Sequence, residues 1–403
     1  MEITDFLRKY IAMMRYNNSL PLIFLIIIDI IVHVYVFKAV LTEPDNIDKT
    51  LPACIDFINS LLLIYNAVRR SLNHRESIKL IELIEDEFAV CHSQFDSSNA
   101  DLWTRIEKFF KEKRENMTVV ARNSAMFFIV MLFFVINRNI LNQLIGLESH
   151  SNEYTSLPTP YLSYCLPDFK SPVFFVYAYS LHILLVMALN CEGFVAHCSV
   201  YLAIERVLAD FETLYMLLDD IVHEYDEDES STEQFSFAQQ QSKMTKLRND
   251  MARVVRCHQT INRNFRIVTE CSEWVVTSIN TTVILYCIVM AYFFLTSDDL
   301  KKRLNFGSFF IVINLAAFFF FHNGQRIFNQ NDILRQTLAN IPWTDKPKWF
   351  NQTLLTMLIR ANVNTEMKPY GIYTLNYLSF KDFMKITFST GNVIYTRKLA
   401  TQT

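Results

Sequence analysis

The stretch LPLIFLIIIDIIVHVYVFKAV, residues 20–40, is apolar from end to end apart from Asp29, His33 and Lys38. About 20 mostly apolar residues let a helix cross the hydrocarbon layer of a bilayer, so this stretch decides between a soluble and a membrane fold. Six further apolar segments follow, at residues 51–68, 119–141, 172–204, 274–296, 306–321 and 377–396. The second and sixth are a little short, the fourth is long enough to continue beyond a bilayer, and the seventh is the least apolar. Composition agrees: of 403 residues 51% are hydrophobic and 14% aromatic, with 34 Phe, and the mean hydropathy is +0.16. These residues are bunched, whereas a soluble chain would spread them as amphipathic stripes. The expected class is all-α: a polytopic membrane protein with seven transmembrane helices. A net charge of −3 is too small to argue for nucleic acid as a partner. Residues 1–16 are mixed and charged, so the first span is expected to act as both signal and anchor.

Basic residues near span ends set the orientation. Arg8, Lys9 and Arg15 precede the first span. Arg69, Arg70, Arg75, Lys108, Lys111, Lys113 and Arg114 follow the second. Lys243, Lys246, Arg248, Arg253, Arg256, Arg263 and Arg266 lie in the loop after the fourth. All three groups fall on one side, which is then cytoplasmic, while the opposing loop between Asn142 and Ser171 holds only Lys170. Lys301, Lys302 and Arg303 dissent, partly balanced by Asp298 and Asp299. The expected topology has the N-terminus in the cytoplasm and the C-terminus outside. Amphipathic stretches at 78–88 and 202–218 are expected to extend membrane helices below the bilayer. The acidic run DDIVHEYDEDE at 219–229 continues into Ser-, Gln- and Glu-rich sequence and reads as a solvated flexible loop.

Patterns for catalysis or metal binding are missing. There is no GxSxG and no P-loop, and His223-Glu224 begins an HExxH that fails at Glu227. No enzyme activity, cofactor or metal is expected. The eight cysteines contain no CxxC; Cys54 and Cys165 alone lie at or near the external face, where a disulfide could form. The sequons at Asn17, Asn116, Asn280 and Asn351 all fall outside external loops, so no N-glycan is expected.

An ionisable residue inside a membrane is costly and marks a candidate function. Asp29 and His33 lie one helical turn apart and can pair, and Asp56 sits near the external end of the second span. Glu192 is deep in the fourth, where it reads as a packing contact between helices or a proton-relay group. In the last span, at 100° per residue, Lys381, Asp382, Lys385, Ser389, Asn392 and Thr396 gather on one face, and Phe380, Phe383, Thr387, Thr390 and Ile394 occupy much of the other. Ser379 and Asp382 have the spacing of a capping box, which would start the helix there. A polar stripe through a membrane must face protein or water. It therefore either lines a hydrated pore among several subunits or packs within one. Aromatic and polar residues also mix in the outer halves of spans: Met131, Phe134 and Asn137; Phe174, Tyr177, Ser180 and His182; Phe309, Phe310 and Ile313. Such surfaces suit a small apolar ligand with one or two hydrogen bonds, or ordinary helix packing.

The C-terminal LSFKDF, Leu378 to Phe383, followed by Met384-Lys385-Ile386, resembles the closing signature of insect odorant receptors. Gly324, Ile341-Pro342-Trp343, Lys368-Pro369-Tyr370-Gly371 and the segment around His258 fall where that family has comparable residues. Thr390-Gly391-Asn392 and Asp382 depart from the signature. The resemblance covers essentially the whole chain and implies the ligand-specific subunit of a ligand-gated, non-selective cation channel. Its partners would be the odorant co-receptor, in a heterotetramer, a small volatile ligand and membrane lipid. Its place would be the plasma membrane of olfactory sensory neurons. The ligand would bind in the outer half of the second, third, fourth and sixth spans, among Phe57, Met131, Phe134, Phe174, Tyr177, Ser180, His182, Phe309, Phe310 and Ile313. Ser389, Asn392, Val393 and Thr396 would line the pore, with Val393 an apolar gate. The implied parts are a cytoplasmic segment at 1–19 and spans one to four with the ligand pocket at 20–204. A cytoplasmic extension and acidic loop follow at 205–273, spans five and six at 274–321, a cytoplasmic anchor at 322–376, and the pore helix with a short tail at 377–403. The rival readings are a seven-span chemoreceptor acting through G proteins, and a membrane transporter.

Overall fold

The computed structural model describes residues 2–15, 20–42, 47–95, 100–144, 172–226, 237–297, 300–344 and 346–402; in several helical stretches it describes the backbone alone. Among these residues there are ten α-helices and no strand: α1 (Glu2–Met13), α2 (Leu20–Thr42), α3 (Ile47–Leu72), α4 (His74–Glu85), α5 (Ala100–Leu144), α6 (Pro172–Asp226), α7 (Phe237–Thr296), α8 (Leu300–Ala339), α9 (Lys348–Ala361) and α10 (Tyr377–Gln402). Each of the seven apolar segments lies inside one helix, namely α2, α3, α5, α6, α7, α8 and α10. Among the described residues, Gln240–Thr296 in α7 and Phe306–Ala339 in α8 are long and apolar enough to cross a membrane.

The 60 residues of α7 reach about 90 Å at 1.5 Å per residue, against roughly 30 Å for a hydrocarbon core. Most of that helix must therefore lie outside any bilayer it crosses. The side chains divide accordingly. Leu202, Leu214, Leu218, Val254, Ile261, Ile106, Leu338 and Phe350 are buried where α5, α6, α7, α8 and α9 converge. In the apolar segments, by contrast, Phe24, Ile27, Ile30, Val34 and Phe37 of α2 are about half exposed or more, as are Met126, Ile129 and Phe133 of α5 and Ile311 and Leu315 of α8. Exposed apolar surface on this scale needs an apolar surrounding.

Helix α7 is the central element, packed against α3, α6, α8 and α10. The amphipathic stretch 202–218 does continue the fourth apolar segment, inside α6. The stretch 78–88 does not continue the second. Helix α3 ends at Leu72, Asn73 leaves helical geometry (φ −103°, ψ 38°), and α4 starts afresh, burying Leu80, Ile81, Leu83 and Ile84. Its last turn closes with Asp86 N–H donating to Glu82 O at 2.8 Å, so Phe88 lies beyond it. The acidic run begins as the end of α6, and residues 227–236 lie outside the described residues. The same holds for Cys165 and for the side chains of His33 and Asp56, so the proposed partnerships of Cys54 and Asp29 fall outside the description.

A polar network locks the buried bundle. Arg206 of α6 pairs with Asp210 and lies 4.2 Å over the Phe88 ring. Asp210 also accepts from Ala89 N at 3.0 Å and from Asn264 Nδ2 of α7 at 3.1 Å. A carboxylate with no exposure, as Asp210 is, is tolerated because its oxygens are saturated by donors from three segments.

Candidate functional site

A cavity of about 590 Å³ opens where the C-terminal end of α3, the early turns of the apolar part of α5, the middle of α6, α7 and the middle of α8 meet. Its walls are apolar, with Val120, Phe127, Phe128, Val275, Ile279, Val283 and Phe319. Charge enters as ion pairs. Arg70 Nη1 lies 2.5 Å from Glu192 Oε2, and Tyr10 O–H donates to Glu192 Oε1 at 2.7 Å. Glu192 and Arg70 are 3% and 8% exposed; a carboxylate that dry must be paired and hydrogen-bonded. At the other side Arg326 pairs with Glu205, which Lys113 Nζ also approaches at 3.2 Å. Glu192 is thus a packing group joining α1, α3 and α6.

His197 lines the same cavity, its ring enclosed by Phe320 at 5.1 Å edge-on, Phe128 at 6.1 Å and Tyr201 at 6.3 Å between centroids. Neither ring nitrogen has a hydrogen-bond partner among the described residues.

The last helix is reached through a tightly held strap, residues 362–376. Asn331 Oδ1 accepts from Thr365 N at 2.8 Å, while its amide donates to Thr365 O at 3.2 Å. Tyr370 (φ 51°) and Gly371 (φ 68°) turn the chain through the left-handed region, which costs a tyrosine backbone strain. Tyr370 is held there by Arg69, whose Nη1 donates to its hydroxyl at 2.8 Å, and by Trp274 edge-on at 6.4 Å. At Gly324 a Cβ would sit 2.2 Å from Leu375 O, so only glycine lets α8 approach the strap this closely. The helix that follows starts earlier than Ser379. Asn376 Oδ1 accepts from Ser379 N at 2.8 Å, so Asn376 is the N-cap and the expected capping box at Ser379 and Asp382 is not formed.

Helix α10 divides as its periodicity predicts. Phe383 is 7% exposed and Thr387 0%, Phe380 packs against the core, and Gly391 is buried. Lys381, Asp382, Lys385, Ser389, Asn392, Val393 and Thr396 are all exposed along the other side. The four pore candidates therefore share one open face.

The pocket candidates fare differently. Phe310 and Ile313 are partly buried against the core, Phe57 is half-buried and Ser180 is exposed. The side chains of Met131, Phe134, Phe174, Tyr177, His182 and Phe309 lie outside the described residues. Phe57, Ser180, Phe310 and Ile313, the four whose side chains are described, do not line the inner cavity. The cavity residues were partly readable. A lone Glu192 demands a cationic partner, and Arg69 and Arg70 are the basic residues that close the neighbouring span. Leu7, Tyr10, Ile11 and Met14, all buried, follow the i, i+3, i+4, i+7 spacing of an amphipathic helix. Nothing local marks His197.

A family model described as 7tm Odorant receptor matches residues 80–388. No curated protein sequence matches the chain. Among solved structures, the insect olfactory receptor OR5 from Machilis hrabei is similar at 12% identity and TM-score 0.64, covering 94% of this chain and 89% of that one. The same receptor in complex with eugenol is similar at 13% identity and TM-score 0.67, covering 98% and 99%.

Proposed function

The chain belongs to the 7tm odorant receptor family, a family of membrane receptors rather than enzymes, and on that premise we propose that it is the odorant-binding subunit of a ligand-gated, non-selective cation channel. The observation that carries the reading is the open polar face of α10. Ser389, Asn392 and Thr396 are exposed together with Lys381, Asp382 and Lys385, and such a face is not stable against lipid. Several copies around an axis would turn it toward water, with Val393 as the apolar constriction. The partner copies would be the odorant co-receptor, in a heterotetramer joined through a cytoplasmic anchor at 322–376.

In this proposal α2, α3, α5, α6, α7, α8 and α10 cross the plasma membrane of an olfactory sensory neuron. The N-terminus is cytoplasmic and the C-terminus external, as the basic residues require. The odorant enters the outer half, among Phe57, Met131, Phe134, Phe174, Tyr177, Ser180, His182, Phe309, Phe310 and Ile313. That a receptor of similar fold was solved in complex with eugenol supports a small organic ligand. The ligand favours the open arrangement only by its difference in affinity between closed and open states.

Whole-cell current in cells expressing the chain with and without the co-receptor, with G-protein signalling blocked, tests the proposal. A fast cation current that needs both subunits and whose permeability ratios change in Asn392→Ala and Val393→Ala supports it. Unaltered permeation across the whole stripe refutes the pore role. An N-terminal epitope accessible without permeabilisation refutes the orientation and returns the chain to a G-protein reading.

A further inference from the structure

The inner cavity is lined by none of the described outer candidates Phe57, Ser180, Phe310 and Ile313, and its chemistry is specific. We propose that it is a second binding site, for a small neutral amphiphile with one hydroxyl or carbonyl group, held by His197. At about 590 Å³ the space falls within the range of ligand sites, roughly 300–1,000 Å³. The walls from α5, α7 and α8 are mainly aliphatic and aromatic, interrupted by Asn123, Ser124, Thr282 and Asn323, and each lining arginine is already paired with a carboxylate. Arg70 is paired with Glu192, and Arg326 with Glu205. Asn66 is equally committed, donating to Ser278 Oγ at 2.8 Å and accepting from Trp274.

His197 is different. Its imidazole sits among three aromatic rings with no hydrogen-bond partner among the described residues, and it lines the open space. An uncharged imidazole offers one donor and one acceptor, so an alcohol can satisfy either nitrogen and a carbonyl can accept from its N–H. Leaving such a group unmet in an apolar enclosure is costly. Phe127 and Phe319, 47% and 54% exposed, form the open side, which lets an apolar molecule enter from the lipid.

Wild-type protein co-expressed with the co-receptor and placed in lipid nanodiscs is irradiated with a diazirine-bearing octanol, and the labelled residues are located by mass spectrometry. Labelling concentrated on residues 193–201 and 275–283, and suppressed by excess 1-octanol, is expected. His197→Phe keeps the ring volume and should weaken the octanol-sensitive labelling about five- to tenfold, the ratio that one net hydrogen bond gives. Ala196→Leu, which fills space without touching the hydrogen bond, should weaken it as well. Label spread evenly over lipid-facing positions such as Ile129 and Leu184, or insensitive to octanol, would show lipid or water alone in the cavity and overturn the proposal. Because no current is measured, that failure leaves the odorant-channel reading standing, and absence of current leaves this one standing.

Discussion

Replacing Arg70 by Met removes the cation that holds Glu192 while keeping most of the side chain's volume. The carboxylate is 3% exposed and its guanidinium partner lies at 2.5 Å, so water cannot take over. Breaking a buried pair from one side costs roughly 3–5 kcal/mol. The hydrogen bond from Tyr10, 2.7 Å long, survives and places the expected loss near the lower end, about 3 kcal/mol. Removing both charges, in Arg70→Met with Glu192→Leu, leaves no stranded ion and should return the protein to within about 1–2 kcal/mol of wild type. For a chain of this size, extending the size trend of melting entropy gives roughly 1–2 °C per kcal/mol. The single variant should therefore lose about 3–6 °C. The assay is the fraction of detergent-solubilised protein that stays monodisperse after stepwise heating, for wild type, both singles and the double. A double variant as unstable as Arg70→Met, or a single variant with wild-type stability, would refute the claim that this pair joins α3 to α6.

Three other outcomes follow from the geometry. A Cβ at Gly391 would lie 2.8 Å from Ala291 Cβ, so Gly391→Ala should push α10 off α7 and cost roughly 1–3 kcal/mol, read as a lower melting midpoint and altered basal current. Burial, then Arg360, depresses His258 to about 4, below the value near 6.5 of an unfolded chain. The neutral form is the one the fold accepts, so stability should hold above pH 6.5 and fall by up to about 3 kcal/mol as pH drops toward 4, with His258→Gln flattening the profile. Asn376→Ala removes the cap of α10 at a cost of about 1 kcal/mol, and hydrogen exchange at the Ser379 amide should quicken roughly fivefold.

Much of the fold was legible in the chain because the signals involved are local. Seven bunched apolar segments appear as seven helix interiors, and the division of α10 into two faces follows from a 3.6-residue period that no tertiary contact altered. Boundaries were less legible. The stretch 78–88 has the amphipathic period of a helix, but period does not say whether that helix is continuous with the previous one; the break at Asn73 does. The cap of α10 went to Asn376 rather than Ser379 because the strap, held by Asn331, Asn280 and Arg69, sets where the chain can first turn into a helix.

The sequence by itself determined the class of this protein: all-helical and receptor-like, with one polar face on its last helix. Each of these follows from hydrophobicity and spacing along a single segment, or from the family resemblance. Only the tertiary structure decided what Glu192 and His197 are. Residues 10, 70 and 192 are far apart in the chain, and their meeting depends on how α1, α3 and α6 cross. Whether a half-buried imidazole meets a neighbour or faces an apolar cavity depends on five helices at once, because hydrogen bonds and voids are properties of packed surfaces and not of residue order.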